Sequence, residues 1–557
     1  MLDIAQSPVE KPSVRAPLLW ILVPQILGYA AALNWELSPV ICLLSGAALS
    51  LKALRICRNS SYNQFHWALC LSGSVILLSW AWYQECDPLI RDRELLKLPP
   101  RAVEIDLEVE RIFLQKDEYD RISGVGKALD VPSTIEHILG TKVYFKAYRQ
   151  NVSEPLIRGD QIRIKGILQP IGWNKERKKD FEDYLLRSHI YTECSRGILD
   201  GKLSSPDKFL HFCHRANELF QRILKNGESN GTDSEADVLV AMMLGEKNAL
   251  STEQKQDFRY SGTMHLFAIS GLHVGVVALV VGGLFGILPL PRKLKIIAGL
   301  GSVFLYVQIT GGQPSAMRAF IMVTCLWGAY FAKRQSNPFP ALVTSAVIIL
   351  TIDPSQIRNL GFQFSYAVVS VILLYGLPLA EGLKTYFEKD LELIPEQSIS
   401  PCKQTIFVLR RWFLVVFSVS FSATLASTPL TMSNFGLATP GTIFLNVLLV
   451  TMAALAIKLG AISLVTGVIG LGFLSSMFIS IAKFLIWLML LLVDIALEIP
   501  GFYQEIQMRN PVLGSLGISV LIGSLLACHQ WRKEIRWHFF WIPPAVFAIY
   551  LTLTMTR

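Results

Sequence analysis

The chain has 557 residues, 52% hydrophobic and 17% charged, with a mean hydropathy of +0.42 and a formal charge of +9. That balance excludes an ordinary soluble enzyme and a disordered chain, and points to a polytopic membrane protein with room for one soluble domain. The positive excess does not by itself argue for nucleic acid, because cytoplasmic loops of membrane proteins carry much of such charge. Residues 16–33, 38–54 and 66–83 are apolar runs of roughly bilayer length. The first is long enough to stay as a span, and no cleavable signal pattern precedes it. Lys52, Arg55 and Arg58 lie between the second and third runs, and no Lys or Arg lies between the first two. The positive-inside rule therefore places the N-terminus in the cytoplasm and the end of the third span outside.

From about residue 84 to 232 the character changes. Val103, Ile105, Leu107 and Val109 alternate with polar neighbours, as do residues 142–148 and 161–168, and Gly124 and Gly126 punctuate a further strand. Several short strands in about 100 residues predict a small β-barrel. Asp180–Leu186 reads as a short helix, residues 207–226 as an amphipathic one, and Ser234 and Ser251 each begin another. Ser251 with Gln254 forms a capping-box pattern. These three helices precede the membrane and are expected along its surface.

No charge occurs from Met264 to Leu290, and Arg292, Lys293 and Lys295 follow, so this span runs from outside to inside. Further spans are expected at about 296–312, 314–332, 338–352 and 361–380, with Lys333 and Arg334 inside. A charged loop at 381–404 follows. Residues 412–457 read as two spans broken at Pro429, Gly436, Pro440 and Gly441, and three to five spans remain after Lys458. The fold class expected is thus a polytopic α-helical membrane protein with an external OB-fold-like β-barrel inserted after three spans. The divisions are 1–83, 84–206, 207–262 and 263–557.

Nine cysteines form no Cys-x-x-Cys pair. Cys42, Cys70, Cys325 and Cys528 read as packing residues. Cys86, Cys194 and Cys213 lie in or beside the soluble part, where an oxidising space permits a disulfide.

Polar residues cluster where the apolar runs break. Ser270 and His273 are three apart, which places them on one side of a helix, and His265 lies close by. A Ser/His pair suits an intramembrane hydrolase; the same groups suit helix packing or a pore, with Gly262 and Gly271 allowing close approach. Two histidines eight apart stand ~80° apart on a helix, a weak basis for a metal site. Thr310-Gly-Gly-Gln313-Pro breaks a helix ahead of Arg318, which reads either as a functional intramembrane arginine or as a side chain snorkelling to the interface. Gln363 and Ser365 enter an otherwise apolar run after Asp353-Pro354, and Asn434, Gly436 and Asn446 surround a fourth break. Four such stretches argue for a water-accessible route. In the barrel region Lys142, Lys146, Arg149, Arg158, Arg163, Lys165, Lys175, Arg177, Lys178 and Lys179 recur, interleaved with Tyr144, Phe145, Tyr148 and Trp173. That mixture suits single-stranded nucleic acid, though acidic neighbours also fit a plain solvated surface.

An ordered set of motifs resembles the ComEC family, the inner-membrane DNA-uptake channels of bacterial competence. The set comprises Arg158-Gly-Asp-Gln-Ile-Arg-Ile-Lys-Gly, Phe181-Glu-Asp-Tyr-Leu-Leu, Leu244-Gly-Glu and His265-Leu-Phe-Ala-Ile-Ser-Gly-Leu-His273. Thr310-Gly311, Pro314-Ser-Ala-Met-Arg-Ala319, Asp353-Pro354, Gly361-Phe-Gln-Phe-Ser365, and Pro429 with Phe435-Gly436 complete it. The resemblance implies a channel that passes one DNA strand from the periplasmic side into the cytoplasm. His265, Ser270, His273, Gln313, Arg318, Gln363 and Ser365 are then candidates for its path, and Lys142, Lys146, Arg149, Arg163 and Lys165 for DNA binding. Many members carry a C-terminal metallo-β-lactamase-like domain, whose His-x-His-x-Asp-His-type cluster this sequence lacks. No enzyme activity, metal or cofactor is expected. The implied partners are single-stranded DNA, membrane lipid, a separate nuclease, a DNA receptor and a cytoplasmic helicase or ATPase. A transporter of another polyanion or envelope polymer is the alternative, with a Ser270/His273 hydrolase behind it.

Overall fold

The structure is a computed structural model that describes residues 16–58, 64–87, 99–114, 120–149, 155–173, 179–226, 234–267, 269–332, 337–388, 401–506, 508, 510, 512–530 and 539–554. Three helices, α1 (Leu19–Asn34), α2 (Pro39–Arg58) and α3 (Gln64–Cys86), come first. Among the described residues, seven helices have the length and apolar composition to cross a membrane, and α2 and α3 are two of them. The chain is a multi-pass membrane protein.

Five strands then form a closed barrel: β1 (Arg101–Leu114), β2 (Arg121–Asp130), β3 (Lys142–Arg149), β4 (Gln161–Pro170) and β5 (Ile190–Ser204). Their order around the barrel is β1-β2-β3-β5-β4, with β3 and β5 parallel and the other pairs antiparallel. This is the OB-like architecture expected. The alternation read in β1 fills the barrel: Ile105, Leu107 and Val109 are buried with Phe145, Ile162 and Ile164. Strand β4 approaches β5 at Gly166, where a Cβ would lie 2.6 Å from the Cys194 sulfur. Cys194 is enclosed in this core and burial pushes its thiol up to about 12. Cys86, Cys194 and Cys213 are all free thiols, so no disulfide joins them. A short helix, α4 (Lys179–Arg187), lies between β4 and β5.

Helices α5 (Lys208–Leu224), α6 (Ser234–Leu244) and α7 (Thr252–Tyr260) lead back to the membrane part. Ser251 and Gln254 form the capping box reciprocally, at 3.0 Å each way. The expectation that all three lie on a surface fails for α6. Residues 238–244 are all buried in the largest apolar cluster of the protein. An eleven-residue helix with apolar residues on every face is a core element, not an amphipathic one.

The membrane part continues as α8 (Gly271–Ile287), α9 (Arg292–Ile309), α10 (Pro314–Phe331), α11 (Pro338–Ile352) and α12 (Leu360–Val371). A π-turn at Ile372–Gly376 joins α12 to α13 (Leu377–Glu388). Helices α14 (Pro401–Phe435), α15 (Thr442–Val468), α16 (Gly472–Leu497), α17 (Val512–Gln530) and α18 (Ile542–Thr554) complete it. The break expected between 412 and 457 falls at 436–441. The loop expected at 381–404 is shorter, because α13 runs on to Glu388 and α14 starts at Pro401. Lys333 and Arg334, and the barrel-region Lys175, Arg177 and Lys178, lie outside the described residues.

The run from Met264 to Leu290 is not one continuous helix. A 3-10 turn covers Met264–Phe267, and α8 starts afresh at Gly271. Five helices close a ring: α8 packs on α10 and α15, α10 on α12, α12 on α14, and α14 on α15. Short connections make α8, α9, α10 and α11 alternate in direction, so α8, α10 and α12 begin on one face of the bundle. The Phe364 and Phe435 rings stack 6.4 Å apart, which brings the α14–α15 junction to that same face.

Candidate functional site: helix starts beneath the barrel

Each of the four broken stretches read from the sequence proves to be the start of a ring helix. At α8, Ser270 is the N-cap and its backbone is extended. Nδ1 of His273 accepts from the Ser270 N–H at 3.2 Å and lies 2.9 Å from the Ser270 hydroxyl. An N–H donor at Nδ1 fixes that nitrogen as the acceptor, so the ring proton sits on Nε2. His273 is fully buried, and Nε2 makes no well-formed hydrogen bond among the described residues. The two residues do lie together, but as a cap pair and not along one helix face. His265 is in the separate 3-10 turn, where its Nδ1 lies 3.1 Å from the Gly262 carbonyl. The angle estimated for His265 and His273 on a common helix therefore does not apply.

At α10, Gly311 and Gly312 take φ of +89° and +62°, conformations that only glycine adopts freely, and Gln313 caps the helix with Pro314 at its first position. Arg318 does not snorkel. It is 5% exposed, and its Nη2 donates to the Gly361 carbonyl at 2.8 Å, tying α10 to the start of α12. Nε and Nη1 are buried without a hydrogen-bond partner among the described residues. At α12, Asn359 Oδ1 accepts from the Gly361 N–H at 2.9 Å. Gln363 Nε2 donates to the Ile357 carbonyl at 2.8 Å, and its Oε1 accepts from Ser515 of α17 at 3.2 Å. Ser365, two residues further on, is half-buried. At α15, the Thr442 hydroxyl donates to the Ser261 carbonyl at 2.7 Å, and Asn446 is buried with Oδ1 unpartnered among the described residues. Each start points the positive end of its helix dipole at that face, where α9, α11 and α14 bring their C-terminal ends alongside.

The sequence reading expected α14 as a span but singled out none of its hydroxyls. Ser420, Thr424, Ser427 and Thr431 recur at helical spacing of three and four. The Ser420 hydroxyl donates across to the Ile443 carbonyl of α15 at 2.7 Å. The signal is a set of hydroxyls at i, i+4, i+7 and i+11 in an otherwise apolar run that carries no charge.

The barrel sits over the same face. Arg158 Nη1 donates to the Gly311 carbonyl at 3.3 Å and to Gln308 Oε1 at 3.4 Å. The loop that offers it is stiffened by buried Asp160, which accepts from the Ile157 N–H at 2.7 Å and pairs with Lys202 at 2.8 Å. Arg187 Nη1 donates to Asn434 Oδ1 at 2.7 Å. A buried polar knot closes the other side. Tyr191 Oη donates to Asp87 Oδ1 at 2.9 Å, and His189 Nδ1 lies 3.7 Å from the same oxygen. Burial pushes the His189 imidazole below its ordinary value, more than Asp87 raises it. Burial beside Asp87 raises the Tyr191 phenol well above its own.

The basic residues proposed for DNA binding lie elsewhere, on the outer barrel wall. Arg163 grips Asp106 through two bonds of 2.7 and 2.8 Å, Lys165 pairs with Asp200 at 2.9 Å, and Lys142 with Glu110 at 3.2 Å. Asp106 holds the Arg163 guanidinium above its ordinary pKa, and Asp200 does the same for Lys165. Lys146 is exposed and Arg149 is half-buried at the end of β3. This wall is nearly charge-balanced.

Residues 242–532, just over half of the chain, match the model of the family described as "Competence protein". The chain is 29% identical to ComE operon protein 3 of Bacillus subtilis over 209 residues, which are 37% of this chain and 26% of that protein. It is 27% identical to competence protein ComA of Neisseria gonorrhoeae over 141 residues, 24% of this chain and 20% of the relative. With recombination protein 2 of Haemophilus influenzae the identity is 23% over 249 residues, 43% and 29% of the two chains. The chain thus spans less than a third of the length of these relatives. No solved structure matches it.

Proposed function

The chain belongs to the competence protein family, and on that premise we propose that it conducts single-stranded DNA through a bacterial inner membrane during natural transformation. The strand passes from the barrel side, which faces outward, to the cytoplasm, where the N-terminus lies. The observation that carries this reading is the ring of α8, α10, α12, α14 and α15, in which the polar starts of α8, α10, α12 and α15 open beneath the barrel. Helix N-termini favour phosphate, and discontinuous helices in a membrane are tolerated where they line a wet path. Ser270, His273, Gln313, Arg318, Gln363 and Ser365 belong to those starts or to the turn following them, and His265 to the 3-10 turn ahead of α8. Ser270 and His273 act as a cap, and no hydrolytic step is assigned to them. A separate nuclease, a receptor that brings DNA to the barrel, and a cytoplasmic helicase or ATPase are the partners this function needs.

The test is cytoplasmic arrival of labelled DNA in cells carrying the wild-type protein, a deletion, or Arg318→Ala. The expected result is DNA stalled outside the inner membrane in the deletion strain. Equal arrival without the protein rejects DNA as the cargo and turns the search to envelope polymers or another polyanion. Orientation is tested separately at Cys57, an exposed thiol at the end of α2. An impermeant maleimide should reach it in inverted vesicles and not in spheroplasts.

A further inference from the structure

Between the barrel and the membrane helices runs a ribbon in which guanidinium groups alternate with aromatic rings. Arg111 Nη1 donates to the Tyr184 hydroxyl at 2.9 Å, and its guanidinium lies 5.1 Å from the Phe113 ring. Tyr184 stacks on Phe181, 6.1 Å between centroids. Three residues on, along the same side of α4, Arg187 reaches Asn434. Next to Asn434, Phe435 stacks on Phe364, and its carbonyl accepts from Arg259 Nη2 at 3.4 Å. The residues come from β1, α4, α7, α12 and α14, and sequence spacing gives no hint that they meet.

Two properties set this ribbon apart from the outer wall. Its arginines bond to neutral groups, namely a phenol, an amide and a carbonyl, and among the described residues none of the three forms an ion pair. The carboxylate of Asp183 bears on Arg187 without pairing with it. Their charge is therefore available to an anion, whereas the charges of Lys142, Arg163 and Lys165 are already spent on carboxylates. Its rings are also partly open, with Tyr184 37% and Phe435 48% exposed. Tyrosine and phenylalanine faces take bases of any sequence, and arginine takes the phosphates between them.

We infer that this ribbon, and not the outer barrel wall, is the track that receives single-stranded nucleic acid and leads it to the helix starts. The inference rests on the channel reading above and names the surface that reading requires. A strand laid on it places bases against Tyr184 and Phe435 and phosphates near Arg111, Arg187 and Arg259. It ends at the α14–α15 junction, where the ring opens.

The experiment measures binding of a fluorescein-labelled oligothymidylate to the full chain in nanodiscs by fluorescence anisotropy. Tyr184→Ala and Phe435→Ala should each weaken binding about tenfold, the scale of one lost base stack. Tyr184→Trp, which keeps the ring and loses the hydroxyl, should bind as the wild type does, and this rescue separates stacking from a folding defect. The paired change Lys142→Ala with Lys165→Ala should stay within about twofold, since these charges are already neutralised. Wild-type affinity in both ribbon variants, or a loss confined to the lysine pair, overturns the track. Equal competition by polyglutamate also overturns it, because stacking then contributes nothing. A wild-type protein that binds no oligothymidylate rejects the channel reading itself, an outcome distinct from the others.

Discussion

Ser270 and His273 are joined twice, through the Ser270 N–H at 3.2 Å and its hydroxyl at 2.9 Å, and both contacts fall on one ring nitrogen. A serine primed for attack passes its proton to a base that a third group orients. Here Nδ1 also receives the serine's own amide, a geometry that serves the helix start. Ser270→Ala should cost about 1 kcal/mol of stability, as loss of an N-cap does. DNA uptake should stay within about threefold of wild type, since the remaining N–H contact still holds the ring. Uptake abolished in a variant that melts normally would favour the hydrolase.

Among the described residues Arg318 makes one side-chain hydrogen bond, to the Gly361 carbonyl, and leaves two nitrogen positions unpartnered. A buried charge so poorly paired is costly and is retained where it has work to do. Arg318→Met should raise the melting temperature or leave it unchanged while lowering uptake by about tenfold or more, the effect of one lost charge contact. Arg318→Lys should recover part of the uptake. Equal uptake in all three proteins would make Arg318 a structural tie between α10 and α12.

Gly312 lies at φ +62° against Arg158 of the barrel. Gly312→Ala forces an alanine into the left-handed region and a methyl onto the guanidinium, and should cost about 1–2 kcal/mol. Arg158→Ala removes the contact without the strain. Limited proteolysis at residues 155–160 should accelerate in both variants, and thermal stability should fall clearly only in Gly312→Ala.

His189 gives the seam between barrel and bundle a pH dependence whose sign follows from burial. Its folded value lies below the ordinary 6.5, so the unfolded chain binds the extra proton more readily. The stabilisation is fully present above pH 6.5 and is lost as pH falls below it. Asp87 and Asp353 oppose this shift, and Arg358 and Lys142 reinforce it. The melting temperature should drop between about pH 7.5 and about pH 5.5, and His189→Gln should flatten that drop. An unchanged slope in the variant would assign the effect to another group.

The elements that periodicity governs were legible. The β1 alternation, the Ser251/Gln254 cap, the break near Pro440 and the barrel after three helices all follow from local pattern. What stayed hidden was pairing between distant segments. Arg163 looked available until β4 was set beside β1 with Arg163 opposite Asp106. Asp87 and His189, or Arg187 and Asn434, meet only through the tertiary fold. The restart of α8 at Gly271 was missed because Phe267 to Ile269 are as apolar as the helix that follows, and hydropathy does not register a turn inside an apolar run.

On the proposed channel function, the balanced outer wall of the barrel also bears on how a strand arrives. Opposed charges a few ångströms apart cancel at range, so the wall projects little field beyond a Debye length, about 8 Å at physiological ionic strength. With only the three ribbon arginines set against this balanced wall, the capture radius for a drifting strand is short. Long-range steering is then a minor part of the association rate, and the limiting event becomes a hand-off from whatever holds the DNA nearby.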